Sequence, residues 1–360
     1  MSHSSRRQDT SVPHASRSFR VKHGMLLASS LLLAATMQAQ IQVTVHEADR
    51  RIDVTADGKP FTSYIWPTSL EKPVLYPLIA PDGTTVTRGF PLEPRPGERV
   101  DHPHHAGLWF NYGNVNGFDF WNNSGAIPAA QKPKMGTVHQ GRIVSTKSGK
   151  QGEIVTETTW TDGTGTDQLK ERTTYIFRAE GNTRTIDRIS TLTALRPVTF
   201  HDDKEGLLGI RVAHFLESPT EKGGTYNDAQ GRPTKVDAGD TSGQTGIYRT
   251  SEGITGDKVW STRGAWCELT GTSPEGKTET IAILDNPANP GFPTYWHARG
   301  YGLFAANPLG DHIFDPKAPE HNFTVPQGGT ATFRYRILLT SGAPTPDQLN
   351  TAEASFAKVK

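Results

Sequence analysis

The sequence has one cysteine, a formal charge of only +1 over 360 residues, and no long apolar run beyond its N-terminal segment. A lone thiol, Cys267, excludes an intramolecular disulfide framework. It lies in Ala265-Trp266-Cys267-Glu268-Leu269, where a buried structural thiol is expected. The near-neutral charge leaves no basic footprint for a phosphate backbone and excludes nucleic acid as a partner. The lack of apolar stretches of about 20 residues excludes a transmembrane helix in the body of the chain. Helical periodicity is also scarce, and no internal repeat or low-complexity tract is present.

The apolar run that does occur, Met25 to Ala35, is too short to span a bilayer. Arg6, Arg7, Arg17, Arg20 and Lys22 precede it, and small and polar residues lead to Ala39-Gln40. That order is expected of a secretory signal peptide over residues 1–39, cut near Ala39. Removing five basic residues and one acidic residue takes the formal charge from +1 to −3. A periplasmic or secreted protein without membrane insertion of the mature chain is the expectation.

Residues 40–360 are read as one domain, with glycine and proline spread along it as turn punctuation. Period-2 alternation dominates. Strands are expected at Ile41 to Val45, Arg51 to Thr55, Phe61 to Trp66, Gly136 to Thr146, Glu153 to Thr161, Leu169 to Phe177 and Thr183 to Leu192. Later ones are expected at Gly206 to Phe215, Lys258 to Leu269, Thr278 to Leu284, Tyr301 to Ala305 and Thr330 to Thr340. Asp57-Gly58, Asn116-Gly117 and Asp162-Gly163 mark turns. Only Pro346 to Lys360 has helical character, as a short C-terminal helix. Many short-spaced strands without alternating helices predict an all-β fold, a large antiparallel β-sandwich, with a barrel-like jelly roll as the alternative.

Four stretches carry candidate chemistry. In Arg99-Val100-Asp101-His102-Pro103-His104-His105 three histidines fall within four residues. Were the segment extended, His102 and His104 would share a face and His105 would point away. Such a pair suits acid–base work or a divalent metal, since neutral imidazole is a good ligand. Trp109, Asn111 and Trp121 follow, offering flat faces for sugar rings and an amide for hydroxyls. Glu205 sits where a polar loop enters an apolar strand, a position suited to a general acid or base, and Arg211 within that strand needs a partner. Trp296, His297 and Arg299 end a proline-paced segment expected to form a loop over a pocket, with His297 and Arg299 on one face if extended.

Asp101-His102-Pro103-His104-His105-x-Gly-Leu-Trp109, Val115-Asn116-Gly117-x-Asp119-Phe120-Trp121 and Glu205-Gly206-x-Leu-Gly-Ile-Arg211 form one pattern with two later motifs. These are Ser251-Glu252-Gly253-x-Thr-Gly256 and Pro293-Thr-Tyr-Trp-His297-x-Arg299-x-Tyr-Gly-Leu-Phe-Ala-Ala-Asn307-Pro308. Together, over most of the mature chain, they resemble the bacterial exported family labelled "methane oxygenase PmoA". The resemblance implies a carbohydrate context, because that family occurs beside sugar oxidoreductases and other carbohydrate-processing proteins. By fold analogy it extends to a galactose-mutarotase-like supersandwich, a fold that commonly sets a histidine acid and a glutamate base on pyranose rings.

The expected function is a carbohydrate-processing lyase, hydrolase or epimerase. Its catalytic candidates are His104, His105, Glu205 and His297. Its substrate-binding candidates are Arg99, Asp101, Trp109, Asn111, Trp121, Arg211, Trp296 and Arg299. The alternatives are a non-catalytic carbohydrate-binding module and an enzyme with a divalent metal on His102 and His104. Each of the enzyme readings requires the stretches to meet in space.

Overall fold

Alternating burial turns the period-2 patterns into strands. In Asp167–Glu180 and Thr330–Ser341 nearly every second side chain is buried while its neighbours are partly exposed. The computed structural model describes residues 40–219, 223–237, 239 and 242–359, together with Gln8. The expected signal segment, apart from Gln8, lies outside the described residues.

Among the described residues two eight-stranded antiparallel sheets dominate. The first runs, in spatial order, β1 (Ile41–His46), β2 (Arg51–Ala56), β3 (Lys59–Ile65), β4 (Val74–Leu75), β5 (Leu108–Phe110), β11 (Leu208–Arg211), β18 (Leu303–Asn307) and β17 (Tyr295–Arg299). The second runs β14 (Ile247–Thr250), β15 (Trp266–Thr272), β16 (Thr278–Asp285), β20 (Thr330–Ser341), β9 (Thr183–Ala194), β8 (Asp167–Glu180), β7 (Gly152–Asp162) and β6 (Gly136–Lys147). Two small ribbons accompany them: β10 (Val198–Phe200) with β19 (Phe323–Val325), and β12 (Gly224–Asn227) with β13 (Pro233–Val236). The fold is thus the expected all-β sandwich on a large scale.

The main core contains Phe61, Phe110, Trp160, Tyr175, Phe177, Ile210, Phe304 and Phe333. Among the described residues one α-helix, α1 (Pro346–Phe356), lies against the outer face of the second sheet. Thr345 and Gln348 form a reciprocal capping box at its start, and Leu349 and Phe356 pack on Trp266, Leu284 and Leu338. Both hairpin turns read from Asp57-Gly58 and Asn116-Gly117 form, with all four residues at positive φ as a type I′ turn demands. Cys267 is fully buried, and burial pushes its thiol up, as befits a structural residue.

Several boundaries differ from expectation. The strand read from Gly206 to Phe215 narrows to β11, because His214–Leu216 coils into a 3-10 turn. The strand read from Lys258 starts only at Trp266, after a 3-10 turn at Gly256–Val259. The proline-paced segment, expected as a loop, pairs from Tyr295 onward as edge strand β17. Its prolines all precede the pairing residues, so the ladder loses no donor.

Register decides what the first sheet presents on each face. Antiparallel pairing puts Trp109, Gly209, Ala305 and His297 in one row across β5, β11, β18 and β17. Arg211, Leu303 and Arg299 form another row two residues along, on the same face. The intervening row, Leu108, Ile210, Phe304 and Ala298, belongs to the main core. One face of this sheet therefore builds the sandwich, and the opposite face carries the chemistry.

Candidate functional site

On that opposite face lies a small separate cluster of Val74, Tyr76, Trp109, Trp121, Leu303 and Ala305. It forms because the central positions of the row are small. A Cβ on Gly209 would lie 2.5 Å from Trp109 and 2.9 Å from Trp121, so only glycine lets both indoles pack there, edge to face. The histidine segment then folds over the tryptophans.

Arg88 shapes that segment. Its guanidinium is buried and donates to the carbonyls of Arg99, Asp101, His102 and His105 and to Asp101 Oδ1, at 2.8–3.2 Å. These bonds tie residues 99–105 into a turn, with His102 at φ 44° and His105 N–H donating to His102 O. The expected extended geometry, with His105 facing away from a His102/His104 pair, is therefore replaced. Tyr301, His102, His105 and Trp109 form a column of near-parallel rings, with successive centroids 5.2, 5.0 and 5.1 Å apart. His104 packs edge-on against His105 at 4.3 Å.

Asp101 joins this column to the sheet. Arg211, 0% exposed, donates to Asp101 Oδ1 at 2.6 Å, and its guanidinium lies 4.9 Å from the Tyr301 ring. Burial works to raise the Asp101 pKa, but the His102 hydrogen bond and the Arg211 and Arg88 charges outweigh it, and the carboxyl stays ionised well below its usual range. Beside it, Arg99 donates to the buried Glu217 at 3.1 Å and lies over Tyr226.

The cleft proper, of about 380 Å³, is lined by Arg99, Asp101, Asp257, Trp260, Arg299 and Tyr301 with the backbone around Gly300. Arg299 stacks 4.5 Å from the Trp260 ring and 6.0 Å from Tyr301. His297, one strand position inward on the same face, meets Trp260 edge-on at 4.8 Å. Its Nδ1 donates to Lys204 O at 2.8 Å and stands 3.8 Å from Glu205 Oε2. The Glu205 carboxylate is 15% exposed and ion-paired to Lys204.

Burial, then the Lys204 charge, brings His297 down to about 3; burial and the neighbouring cations act likewise on His104 and His105. Near pH 7 all three rings are neutral. Tyr301 is pushed up to about 12, chiefly by burial, so its phenol keeps its proton.

The stretches singled out in the sequence thus converge, but with different roles. Glu205 and His297 meet, Arg99, Asp101 and Arg299 line the cleft, and His297 and Arg299 share a face as expected. Trp109, Trp121 and Trp296 are 0% exposed and offer no platform to a sugar; Trp296 points into the sandwich core because it alternates with His297. Asn111 is likewise 0% exposed, its amide spent on Phe120 O. Arg211 is sealed behind Tyr301 and acts through Asp101. His104 and His105 are buried in the wall, where burial favours their neutral form, and neither lines the cleft.

For the metal reading, the donor chemistry does not fit. Among the described residues no group of three or more His, Cys, Asp or Glu side chains is placed to hold an ion. His102 is engaged by Asp101 at 3.3 Å and by the ring column. No described helix is long and apolar enough to cross a membrane.

Sequence reasoning missed Arg88, Lys72, Trp260 and Tyr301. Lys72 donates to His104 O at 2.7 Å, and burial lowers it to about 7. Tyr301 had a signal, lying two residues beyond Arg299. Trp260 had none, since its segment was read as a strand.

No match was found among curated proteins. Among solved structures, a galactose mutarotase-like protein from Clostridium acetobutylicum is similar at 9% identity, covering 85% of this chain and 99% of that one, with a TM-score of 0.38. A family 36 α-galactosidase from Geobacillus stearothermophilus is similar at 10% identity, covering 85% and 41%, with a TM-score of 0.34. A glycoside hydrolase family 97 enzyme from Pseudoalteromonas sp. strain K8 gives 10%, 84% and 35%, with a TM-score of 0.29. Residues 51–353 match the family of unknown function designated DUF6807, and the protein belongs to that family.

Proposed function

We propose that the protein is an exported carbohydrate-active enzyme whose cleft seats a sugar between Trp260 and Tyr301 and whose Glu205 moves the proton. One observation carries this reading. Trp260, Arg299 and Tyr301 line one cleft, and His297, packed edge-on against Trp260, and Glu205, 3.8 Å from His297, lie directly behind that wall. The five come from three separate parts of the sequence. Partly exposed aromatic rings suit the apolar faces of a sugar, and the charged groups between them suit its hydroxyls.

The roles follow from protonation. With Nδ1–H committed to Lys204 O, His297 keeps Nε2 as an acceptor and, being neutral, orients a hydroxyl without supplying a proton. Tyr301 remains a hydrogen-bond donor. Glu205 is left as the carboxylate able to take up and return a proton, with Lys204 beside it. Lyase, hydrolase and epimerase chemistry all use such a group.

The test is Glu205→Gln, assayed across a broad glycoside panel with folding checked by circular dichroism. Loss of turnover by about 10²-fold or more is expected for removal of a general acid–base group. Undiminished turnover removes the mechanism. Sugar binding without turnover by the unaltered protein would move the reading to a binding module.

A further inference from the structure

We infer that the sugar taken by this cleft is acidic, with a ring carboxylate docked on Arg299 and Arg99. The inference rests on the sugar-site reading above and names its substrate class. The Arg299 guanidinium has no carboxylate within salt-bridge distance and no hydrogen-bond partner among the described residues; its contacts are the faces of Trp260 at 4.5 Å and Tyr301 at 6.0 Å. A guanidinium stacked in this way keeps its N–H edges free in the ring plane, the geometry that grips a carboxylate through two parallel hydrogen bonds. Arg99 lines the same cleft with Nε–H on Glu217, and its two terminal amino groups have no partner among the described residues. Two forks with unused donors on one cleft are more than neutral hydroxyls require.

The acidic residues nearby do not cancel this charge. Asp101 is already shared by Arg88, Arg211 and His102. Glu217 offsets the charge of Arg99 but engages only its Nε, so the terminal Arg99 donors stay open and the uncompensated charge is that of Arg299. Glu205 is paired with Lys204. Asp257 sits exposed on the rim, without an ion pair to Arg299. Trp260 fixes the Arg299 head from one side, so its donors are pre-oriented before any ligand arrives.

The experiment is calorimetric titration of the mature protein with oligogalacturonates, with galacto-oligosaccharides of equal length, and with a sulfated oligosaccharide. The uronate is expected to bind at least about tenfold more tightly than the neutral sugar, one decade of affinity, and to weaken as salt is raised. Arg299→Gln should abolish that preference, Arg299→Lys should keep part of it, and Trp260→Ala should weaken both ligands. Circular dichroism of each variant excludes misfolding. Equal affinity for neutral and acidic sugars, or an unchanged preference in Arg299→Gln, overturns the inference while leaving the sugar site standing. Preference for the sulfated ligand over the uronate overturns the carboxylate assignment. Failure of every oligosaccharide to bind overturns both this inference and the sugar reading.

Discussion

Trp121 donates its indole N–H to His105 Nε2 at 3.2 Å inside the buried wall of the cleft. The indole nitrogen and the Arg211 guanidinium, whose Nη1 faces His105 Nδ1 at 3.4 Å, can both only donate. A neutral ring has one lone pair and accepts from one of them; the shorter Trp121 contact takes it, which leaves the proton on Nδ1. His105 is therefore held by its surroundings as a spacer between Trp109 and His102. Trp121→Phe keeps most of the ring area and removes the donor. The expected result is a loss of about 1–3 kcal/mol in urea unfolding, the cost of a buried acceptor left unpaired, with the pH dependence of activity unchanged. A new titration near pH 6–7 in the activity profile would show that His105 reaches the reaction after all.

The neutral histidines also set how stability depends on pH. His297 is lowered to about 3, and His104 and His105 are lowered as well, first by burial and then by neighbouring cations. In the unfolded chain each takes up a proton near pH 6.5. Below that value the unfolded state binds more protons, so stability falls with pH until the folded-state values are reached. Each ring contributes at most about 1.4 kcal/mol per pH unit over that window. Asp101, lowered in the folded state, adds its loss only below about pH 4. Lys72, lowered to about 7, adds a rise in stability above pH 7, and Asp285 and Glu279, raised to about 7, oppose the fall below it. The ring is therefore isolated by the variant: the change in urea midpoint from pH 6 to 4 should be less unfavourable in His297→Gln than in the unaltered protein. The same change in His297→Gln and in the unaltered protein would contradict a buried neutral His297.

The sequence made the sheets legible because their strands are long and half-buried, so alternation is printed in them. Leu169 to Phe177 and Thr330 to Thr340 were readable to within a few residues. Strand β5 was not legible in the same way, and β11 was read with overlong bounds, since both are short and buried on both faces, and such runs lose their period. The meeting of Glu205 with His297, and the place of Arg299 beside them, were legible as a candidate cluster because charge beside an apolar strand has few structural uses. The tryptophans misled for a physical reason: an indole beside histidines looks like a sugar platform. Whether it faces solvent depends on register, and here Gly209 makes room to bury two of them. Arg88 was invisible because its work is done on carbonyl groups of residues far along the chain.

Among the described residues Asp101 is the sole carboxylate within salt-bridge distance of either Arg88 or Arg211, two guanidiniums that are 1% and 0% exposed. Asp101→Asn would leave both cations without their counter-charge, and the expected cost is about 3–5 kcal/mol. The turn from 99 to 105 should loosen with it, since Arg88 would lose the carboxylate that orients it. Hydrogen–deuterium exchange at His102 to His105 should rise more than in the distant β8–β9 hairpin. Uniform exchange across the two regions would mean that Asp101 contributes only to overall stability.

Tryptophan substitutions separate wall from binding surface. Trp109, Trp121 and Trp296 are fully buried, whereas Trp260 is partly exposed and lines the cleft. Trp109→Ala or Trp296→Ala should cost about 3–5 kcal/mol of stability through the cavity each leaves. Trp260→Ala removes a ring that touches Arg299, His297 and Phe314 but seals no core. Its melting temperature should shift by only a few degrees, while ligand affinity falls about tenfold or more, within the range for aromatic hot spots. If Trp260→Ala instead melts as early as Trp109→Ala and binds as tightly as the unaltered protein, the ring is a structural plug. The sugar would then have to be seated on Tyr301 alone.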